Sequence, residues 1–165
     1  MSPNVPASAE EIFAACEKAL SLAPAEYSPT LPPSKEISGT PEWYAFGHEV
    51  WPIGETVRRS FAQHPKFKKN EDLLNKVVEV VICRDLRRGR QSFIMALGFV
   101  AARQHAKTLS QFLSDPDVDG HVAYTLIKMK ASGFSPEVEP LLQSDKTWIR
   151  NLAKKYLSRY GLPSF

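Results

Sequence analysis

Four arginines stand close together in the middle of the chain, and they are its densest group of charged residues: Arg84, Arg87, Arg88 and Arg90. Guanidinium groups bind phosphates and carboxylates through paired hydrogen bonds, so such a cluster suits a nucleic acid or an acidic protein partner. The alternative is a solvated turn that Asp85 partly neutralises. We predict that the four arginines contact a partner, and that they lie on a turn between two helices.

The other reactive residue types lack the spacing that catalysis or metal binding requires. Cys16 and Cys83 lie on apolar stripes, which favours buried thiols. Residues 115–120 resemble a calcium loop but lack its closing glutamate. No metal-ligand spacing occurs among the four histidines, which are His48, His64, His105 and His121. The sequence contains no glycine-rich phosphate loop and no nucleophile elbow. We therefore predict no catalytic residue, no metal site and no cofactor, and a protein that is not an enzyme.

The composition predicts a folded, soluble protein. With 165 residues the sequence fits one domain, and its 43% hydrophobic and 24% charged residues are ordinary for a globular protein. No run of about 18 apolar residues occurs, so we expect no contact with a membrane. The beginning of the sequence lacks a basic and apolar signal pattern, so we expect a cytoplasmic protein with reduced thiols.

Charge divides the chain into two parts. Residues 1–56 hold two basic and eight acidic residues, whereas residues 57–165 hold 19 basic and 10 acidic ones. Prolines are also concentrated in the first part. We predict an N-terminal segment over residues 1–69, with an acidic helix and a Pro-rich, aromatic cap, and a regular helical array over residues 70–165. The two parts are expected to form one compact domain, in which the acidic part could cover the basic one.

Local signals predict where several helices begin. Ser8 and Glu11 stand three apart, as a capping box requires. Asn70 is a suitable N-cap for a helix over the apolar stripe that follows it. Asp115, with Pro116 behind it, predicts another helix start.

The end of the acidic part is rich in aromatic residues. Thr40 followed by Pro41 predicts the start of a short helix that ends by Pro52, and residues 53–63 predict another. Four aromatic residues fall in this region, and we interpret them as a cover for the apolar end of the array, with a partner-contact surface as the alternative: Trp43, Tyr44, Phe46 and Trp51.

The helical pattern of the second part repeats. Leu97 and Leu126 are 29 residues apart, and Val118 and Trp148 are 30 apart. Three units of one helix pair each fit residues 70–100, 101–130 and 131–160. A single helix pair cannot bury its apolar faces, so stacked neighbours must do so for each other. Because Trp148 aligns with the stripe residue Val118, we predict that Trp148 packs in the core.

These repeats resemble a known family. Ala96-Leu97-Gly98, the segment 113–118 and Trp148-Ile149-Arg150 are similar to HEAT-like repeats of the short bacterial type, often called phycobilin-lyase-like, over about residues 85–160. The resemblance implies an all-α fold: a right-handed α-α superhelix of about three helix pairs with an N-terminal helical, Pro-rich cap. Gly120 stands where the family commonly has an arginine, which Arg150 supplies in the next unit.

Three functions remain open. The first is a non-catalytic protein-binding module, for which an immunity or antitoxin protein that blocks its partner is one form. The second is DNA binding through the basic face, since HEAT-like folds also occur in DNA-binding glycosylases. The third is a chromophore lyase-like enzyme. For the first, we predict that the partner contacts the second helix of each unit, through Ser92, Asp119, His121, Tyr124, Asn151 and Lys154, while the oligomeric state stays open.

Overall fold

The structure, a computed structural model, describes residues 5–23, 42–100 and 102–161. These three stretches contain no β-strand, and the predicted all-α class is confirmed. Short 3-10 helices over Pro65–Lys69, Arg84–Arg90, Arg103–His105 and Glu139–Gln143 join the α-helices. The α-helices of the described stretches are α1 (Ala9–Ser21), α2 (Glu42–Gln63), α3 (Glu71–Ile82), α4 (Gln91–Phe99), α5 (Ala106–Ser110), α6 (Asp119–Lys128), α7 (Ser135–Val138) and α8 (Thr147–Tyr160).

Two of the predicted helix starts are confirmed. The Ser8 hydroxyl accepts a hydrogen bond from the backbone N–H of Glu11 at 3.2 Å. The Asn70 side chain accepts one from the backbone N–H of Leu73 at 3.1 Å and begins α3. Both caps satisfy a backbone donor that the helix itself leaves unpaired.

The prediction that a helix ends by Pro52 is wrong. Helix α2 continues through Pro52, and the two short helices expected on either side form one helix of 22 residues. A proline inside a helix removes one backbone hydrogen bond and disturbs the preceding turn, but tertiary packing can offset that loss. Val57 and Phe61 are buried below Pro52, where α2 packs on α4. Thr40 and Pro41 lie outside the described residues.

The prediction that a helix starts at Asp115 is also wrong. Residues 115–118 form a turn, and α6 starts at Asp119. The Asp115 carboxylate accepts a hydrogen bond from the backbone N–H of Asp117 at 3.0 Å, which closes this turn. Its other oxygen binds arginines from the preceding segment, so the side chain is committed to the turn and to a tertiary contact.

The even-numbered helices form a row, in which α2 packs on α4, α4 on α6, and α6 on α8. The odd-numbered helices pack against members of this row: α1 on α2, α3 on α4, α5 on α6 and α7 on α8. One continuous set of buried apolar side chains runs from Ile12 to Leu157. Burying a Leu or Val side chain contributes about 1.5–3 kcal/mol, so this seam supplies the main stabilisation of the stack. The handedness, the number of repeats and the division at residue 69 stay predictions.

Candidate functional site

Arg90 is completely buried and serves the fold. Its Nη2 donates to Asp115 Oδ2 at 2.7 Å, Nη1 to the Val81 carbonyl at 3.2 Å, and Nε to the Arg87 carbonyl at 2.8 Å. A buried guanidinium is stable only when its charge and its donors have partners, and the three acceptors provide them. Arg90 therefore ties the end of α3 to the turn before α6.

The neighbouring arginines strengthen the same connection. Arg87 Nη1 lies 3.5 Å from Asp117 Oδ2, and Arg84 Nη1 lies 3.5 Å from Asp115 Oδ2. The guanidinium of Arg84 lies 4.9 Å from the centre of the Phe112 ring. Arg87 has a positive φ of 51°, a backbone conformation that is rare outside glycine and asparagine. The hydrogen bond from Arg90 to the Arg87 carbonyl holds the backbone in that conformation.

These contacts divide the predicted arginine cluster. Arg87 is nine-tenths buried and Arg90 wholly buried, so neither offers a surface to a partner. Arg84 is exposed, and Arg88 is half-buried. The arginines do lie between two helices, as expected, but two of the four are used inside the fold, and a partner contact stays a prediction for Arg84 and Arg88.

Trp148 is not in the core, contrary to our expectation, because it is 45% exposed. Its ring lies over Gly120, where a Cβ atom would stand only 2.6 Å from Cζ3 of the ring. The edge of the ring meets His121, with ring centres 5.4 Å apart and planes at 74°. Because Gly120 has no side chain, the Trp148 ring of α8 packs directly against this position of α6 while part of the ring stays exposed to solvent.

Trp148 forms one wall of a cleft of about 400 Å³ among α4, α6 and α8. Met95 of α4 and Tyr124 of α6 form its other side, and Leu152 extends the apolar lining along α8. Clefts of 300–1,000 Å³ with a mainly apolar lining and a few polar groups are typical of binding sites. Asn151 and Lys155 supply polar groups at the edge of this cleft.

His121 is held in its neutral form within this cleft. Burial, with smaller contributions from the charges of Arg88 and Lys146, lowers the pKa of His121 to about 4. A neutral imidazole beside an aromatic ring leaves the cleft apolar near neutral pH, because a charged form would lose most of its solvation. Near pH 7 the imidazole of His121 therefore adds no charge to the cleft.

A second exposed aromatic ring lies one helical turn from the cleft. Phe99 follows Met95 by four residues on α4 and is 40% exposed. The Arg58 guanidinium lies 5.2 Å from the centre of its ring, and the Lys128 ammonium lies 5.4 Å from the same centre. Lys128 in turn follows Tyr124 by four residues on α6. Aromatic rings attract cations at such distances.

One of these cations, Arg58, shares an acid with its neighbour Arg59. Glu55 forms a bidentate salt bridge with Arg58, and its Oε1 lies 3.6 Å from Nε of Arg59. This contact raises the pKa of Arg58, to which Tyr124 adds a smaller electrostatic contribution in the same direction. With Glu55 paired to Arg58, Lys128 leaves the surroundings of the Phe99 ring with a net positive charge. We call the surface shared by the cleft and this cluster the row face: Arg58, Met95, Phe99, His121, Tyr124, Lys128, Trp148, Asn151, Leu152 and Lys155.

The structure brings some of the predicted contact residues together and separates others. His121, Tyr124 and Asn151 meet in the cleft, and Lys154 is exposed beside it on α8. Asp119 is half-buried at the start of α6, and burial raises the pKa of its carboxyl group. Ser92 is buried and donates to the Trp51 carbonyl at 2.8 Å, so it offers no surface.

Sequence reasoning missed the aromatic part of this surface. Trp148 was assigned to the core because it aligns with Val118, and Met95 and Phe99 lie outside the apolar stripe predicted for α4, so neither was considered as a contact residue. One signal was present: Gly120 departs from the pattern at the position that Arg90 and Arg150 hold in the flanking units. Because Gly120 has no side chain, it leaves room for the ring of Trp148, which follows it by 28 residues in the chain.

Two further kinds of feature are absent from the described residues. Within residues 5–23, 42–100 and 102–161, no group of three or more histidine, cysteine, aspartate or glutamate side chains could hold a metal ion. None of the helices in those ranges is long and apolar enough to cross a membrane.

A second cleft, of about 490 Å³, lies between α1 and α2. Charged side chains of both signs, Glu11, Lys18 and Glu49, stand around it. It therefore lacks both the aromatic wall and the single sign of charge that mark the row face.

No family model, curated protein or solved structure matches the chain.

Proposed function

We propose that this chain is a non-catalytic protein-binding module, and that the row face is its contact surface. The observation that carries the proposal is Trp148, an exposed aromatic ring that stands on Gly120 at the wall of an apolar cleft. Protein interfaces concentrate their binding energy in tryptophan, tyrosine and arginine side chains that meet a pocket on the partner or form one. The row face holds a residue of each type.

Rigidity supports the same function. The row of helices α2, α4, α6 and α8 carries the contact residues, and buried side chains fix each helix against the next. A surface whose backbone is already ordered loses less conformational entropy when a partner binds. The HEAT-like resemblance agrees with this proposal, because stacked helix pairs present extended binding surfaces. An immunity or antitoxin protein, acting in the cytoplasm, is the form of this function that we favour.

Photo-cross-linking can test which surface meets a partner. Benzoylphenylalanine would replace Tyr124 or Asn151 on the row face, and Asn75 of α3 or Lys107 of α5 as exposed controls on the odd-numbered helices. Each variant would be irradiated in a nuclease-treated extract of the source cells. We expect protein adducts at positions 124 and 151 that disappear in a Trp148→Ala background. Equal adducts at all four positions, or none at positions 124 and 151, would contradict the proposal.

DNA binding is the second candidate, and one observation favours it. Lys128, Lys154 and Lys155 are exposed on or beside the row face, close to rings on which bases could stack. The internal use of Arg87 and Arg90 removes two cations on which the DNA hypothesis depended. A salt titration with a labelled 20-base-pair duplex separates the two functions. DNA binding predicts a steep salt dependence, with a logarithmic slope of about −0.9 for each phosphate contacted.

A further inference from the structure

Two features of the row face differ in chemistry and lie side by side. The cleft beside Trp148 is apolar, and the cluster around Phe99 is positively charged. Met95 and Tyr124 line the cleft, while Phe99 and Lys128 belong to the cluster, each four residues further along the same helix. The two features are therefore neighbouring parts of one surface, related by a single helical turn.

Their separation can be bounded from helix geometry. Four residues of a helix span about 6 Å, and packed helices lie about 8–10 Å apart. The cleft lies among α4, α6 and α8, whereas the cluster lies among α2, α4 and α6, one helix further along the row. One turn along and one helix across give a separation of about 10–12 Å. An extended peptide covers this distance in about three to four residues.

Resting on the proposed function, we infer that the row face recognises an extended segment of a protein with one large apolar side chain and a carboxylate three or four residues away. The apolar side chain fills the cleft between Trp148 and Tyr124. The carboxylate binds Lys128, which has no acidic partner among the described residues, while the nearby Arg58 pairs with Glu55. Charge complementarity selects an acidic segment, because the exposed basic residues nearby, Lys154 and Lys155, also repel a basic one.

The side chain that fills the cleft should be uncharged, because the charged groups that act on His121 are all basic. Arg88 and Lys146 influence His121 electrostatically, and no described acidic side chain lines the cleft itself. A lysine or arginine placed there would lose its solvation without gaining a partner. Leucine, phenylalanine, tyrosine or tryptophan satisfies both the volume and the polarity of the cleft.

A displayed library of random 12-residue peptides tests this inference on the full chain. Binders selected on the unmodified protein would be counter-selected against W148A, and individual peptides would then be titrated against K128E and the matched control K107E, an exposed lysine on α5. We expect enrichment of a large apolar residue with Asp or Glu three or four positions away. K128E should weaken these peptides roughly tenfold, and K107E less than twofold. Replacing the acid by Lys should restore binding to K128E.

The outcomes separate this inference from the proposed function. Peptides that need Trp148 but bind K128E normally would overturn the carboxylate part and leave a protein-binding surface in place. A library without any Trp148-dependent binder would overturn the recognition of a linear segment, while cross-linking at position 151 still decides whether a protein binds. Direct binding of a labelled 20-base-pair DNA duplex that is lost in K128E, together with no selected peptide, would assign the face to nucleic acid.

Discussion

The arginine segment before α4 and the row face use the same types of side chain in opposite ways. In the first, Arg90 is buried with a carboxylate and two carbonyl oxygens as partners. In the second, Trp148 and Phe99 are exposed, with cations beside Phe99. A buried ion pair therefore connects the end of α3 to the turn before α6, whereas part of the aromatic surface faces solvent. A charge cluster read from sequence can be part of the fold, and a stripe residue can be part of a contact surface.

The largest effect should come from breaking the buried pair. Asp115→Asn removes the charge that balances Arg90, and leaving a buried arginine without its carboxylate costs about 3–5 kcal/mol. Chemical denaturation at pH 7 measures this loss as a drop in the free energy of unfolding. Arg84→Ala is the matched control, because Arg84 binds the same carboxylate from an exposed position and should contribute at most about 1 kcal/mol. Similar losses for the two variants would contradict the assignment of the pair to the fold.

The second effect is a loss of stability at low pH, which the buried His121 of the cleft should cause. His121 has a pKa of about 4 in the folded protein, below the value of about 6.5 for an unfolded chain. The unfolded state therefore binds a proton that the folded state refuses, and stability falls as the pH falls from about 6.5 to about 4. The loss reaches about 3 kcal/mol at the acidic end.

His121→Gln should flatten this part of the pH dependence when unfolding is measured at pH 7 and pH 4.5. Tyr124→Phe changes the same cleft but keeps the imidazole, so it should retain the fall. A His121→Gln protein that loses as much stability as the unmodified chain would show that another group is responsible.

The third effect tests the packing of the Trp148 ring against Gly120. Gly120→Ala places a methyl group against the Trp148 ring and 2.8 Å from Cγ1 of Ile149, so one of them must move. Such overpacking costs about 1–3 kcal/mol. The emission of Trp148 should shift at the same time, as seen by comparing fluorescence spectra with and without Trp148→Phe.

Gly98→Ala is the matched control for this change. Its Cβ would stand 3.3 Å from the Lys128 Cβ, a tight contact that a small shift relieves, and alanine favours the helix by roughly 0.5–1 kcal/mol. We expect unchanged or slightly higher stability for that variant. A Gly120→Ala protein as stable as Gly98→Ala would indicate that the ring does not rest on Gly120.

The sequence was sufficient to predict those features of the structure that depend on residues close together in the chain. The Ser8 and Asn70 caps and the all-α class follow from residues within one helical turn of each other. It was insufficient where partners are about one repeat apart. The bonds from Arg90 to Asp115 and from Arg87 to Asp117 span 25 and 30 residues, and a local pattern contains no information about them.

The same limit explains the error at Trp148. The alignment of Trp148 with Val118 indicates a position on the buried side of a helix. The exposure of the Trp148 ring depends instead on the space beside Gly120 in α6, the neighbouring helix of the row. The error at Pro52 has a related cause, because packing of α2 on α4 outweighs a local preference to end the helix. Tertiary contacts decided each of these positions.

The smallest effect on stability should be that of Trp148→Ala, and it gives the most direct test of the row face. Because the ring is 45% exposed, its removal should lower the free energy of unfolding by about 1 kcal/mol or less, whereas Ile149→Ala, at the buried neighbour, should cost about 2–5 kcal/mol. Unfolding and cross-linking from position 151 would be measured on the same Trp148→Ala preparation. We predict a nearly unchanged unfolding free energy together with loss of the protein adduct. A strongly destabilised protein that still forms the adduct in full would show that Trp148 serves the fold and not a partner.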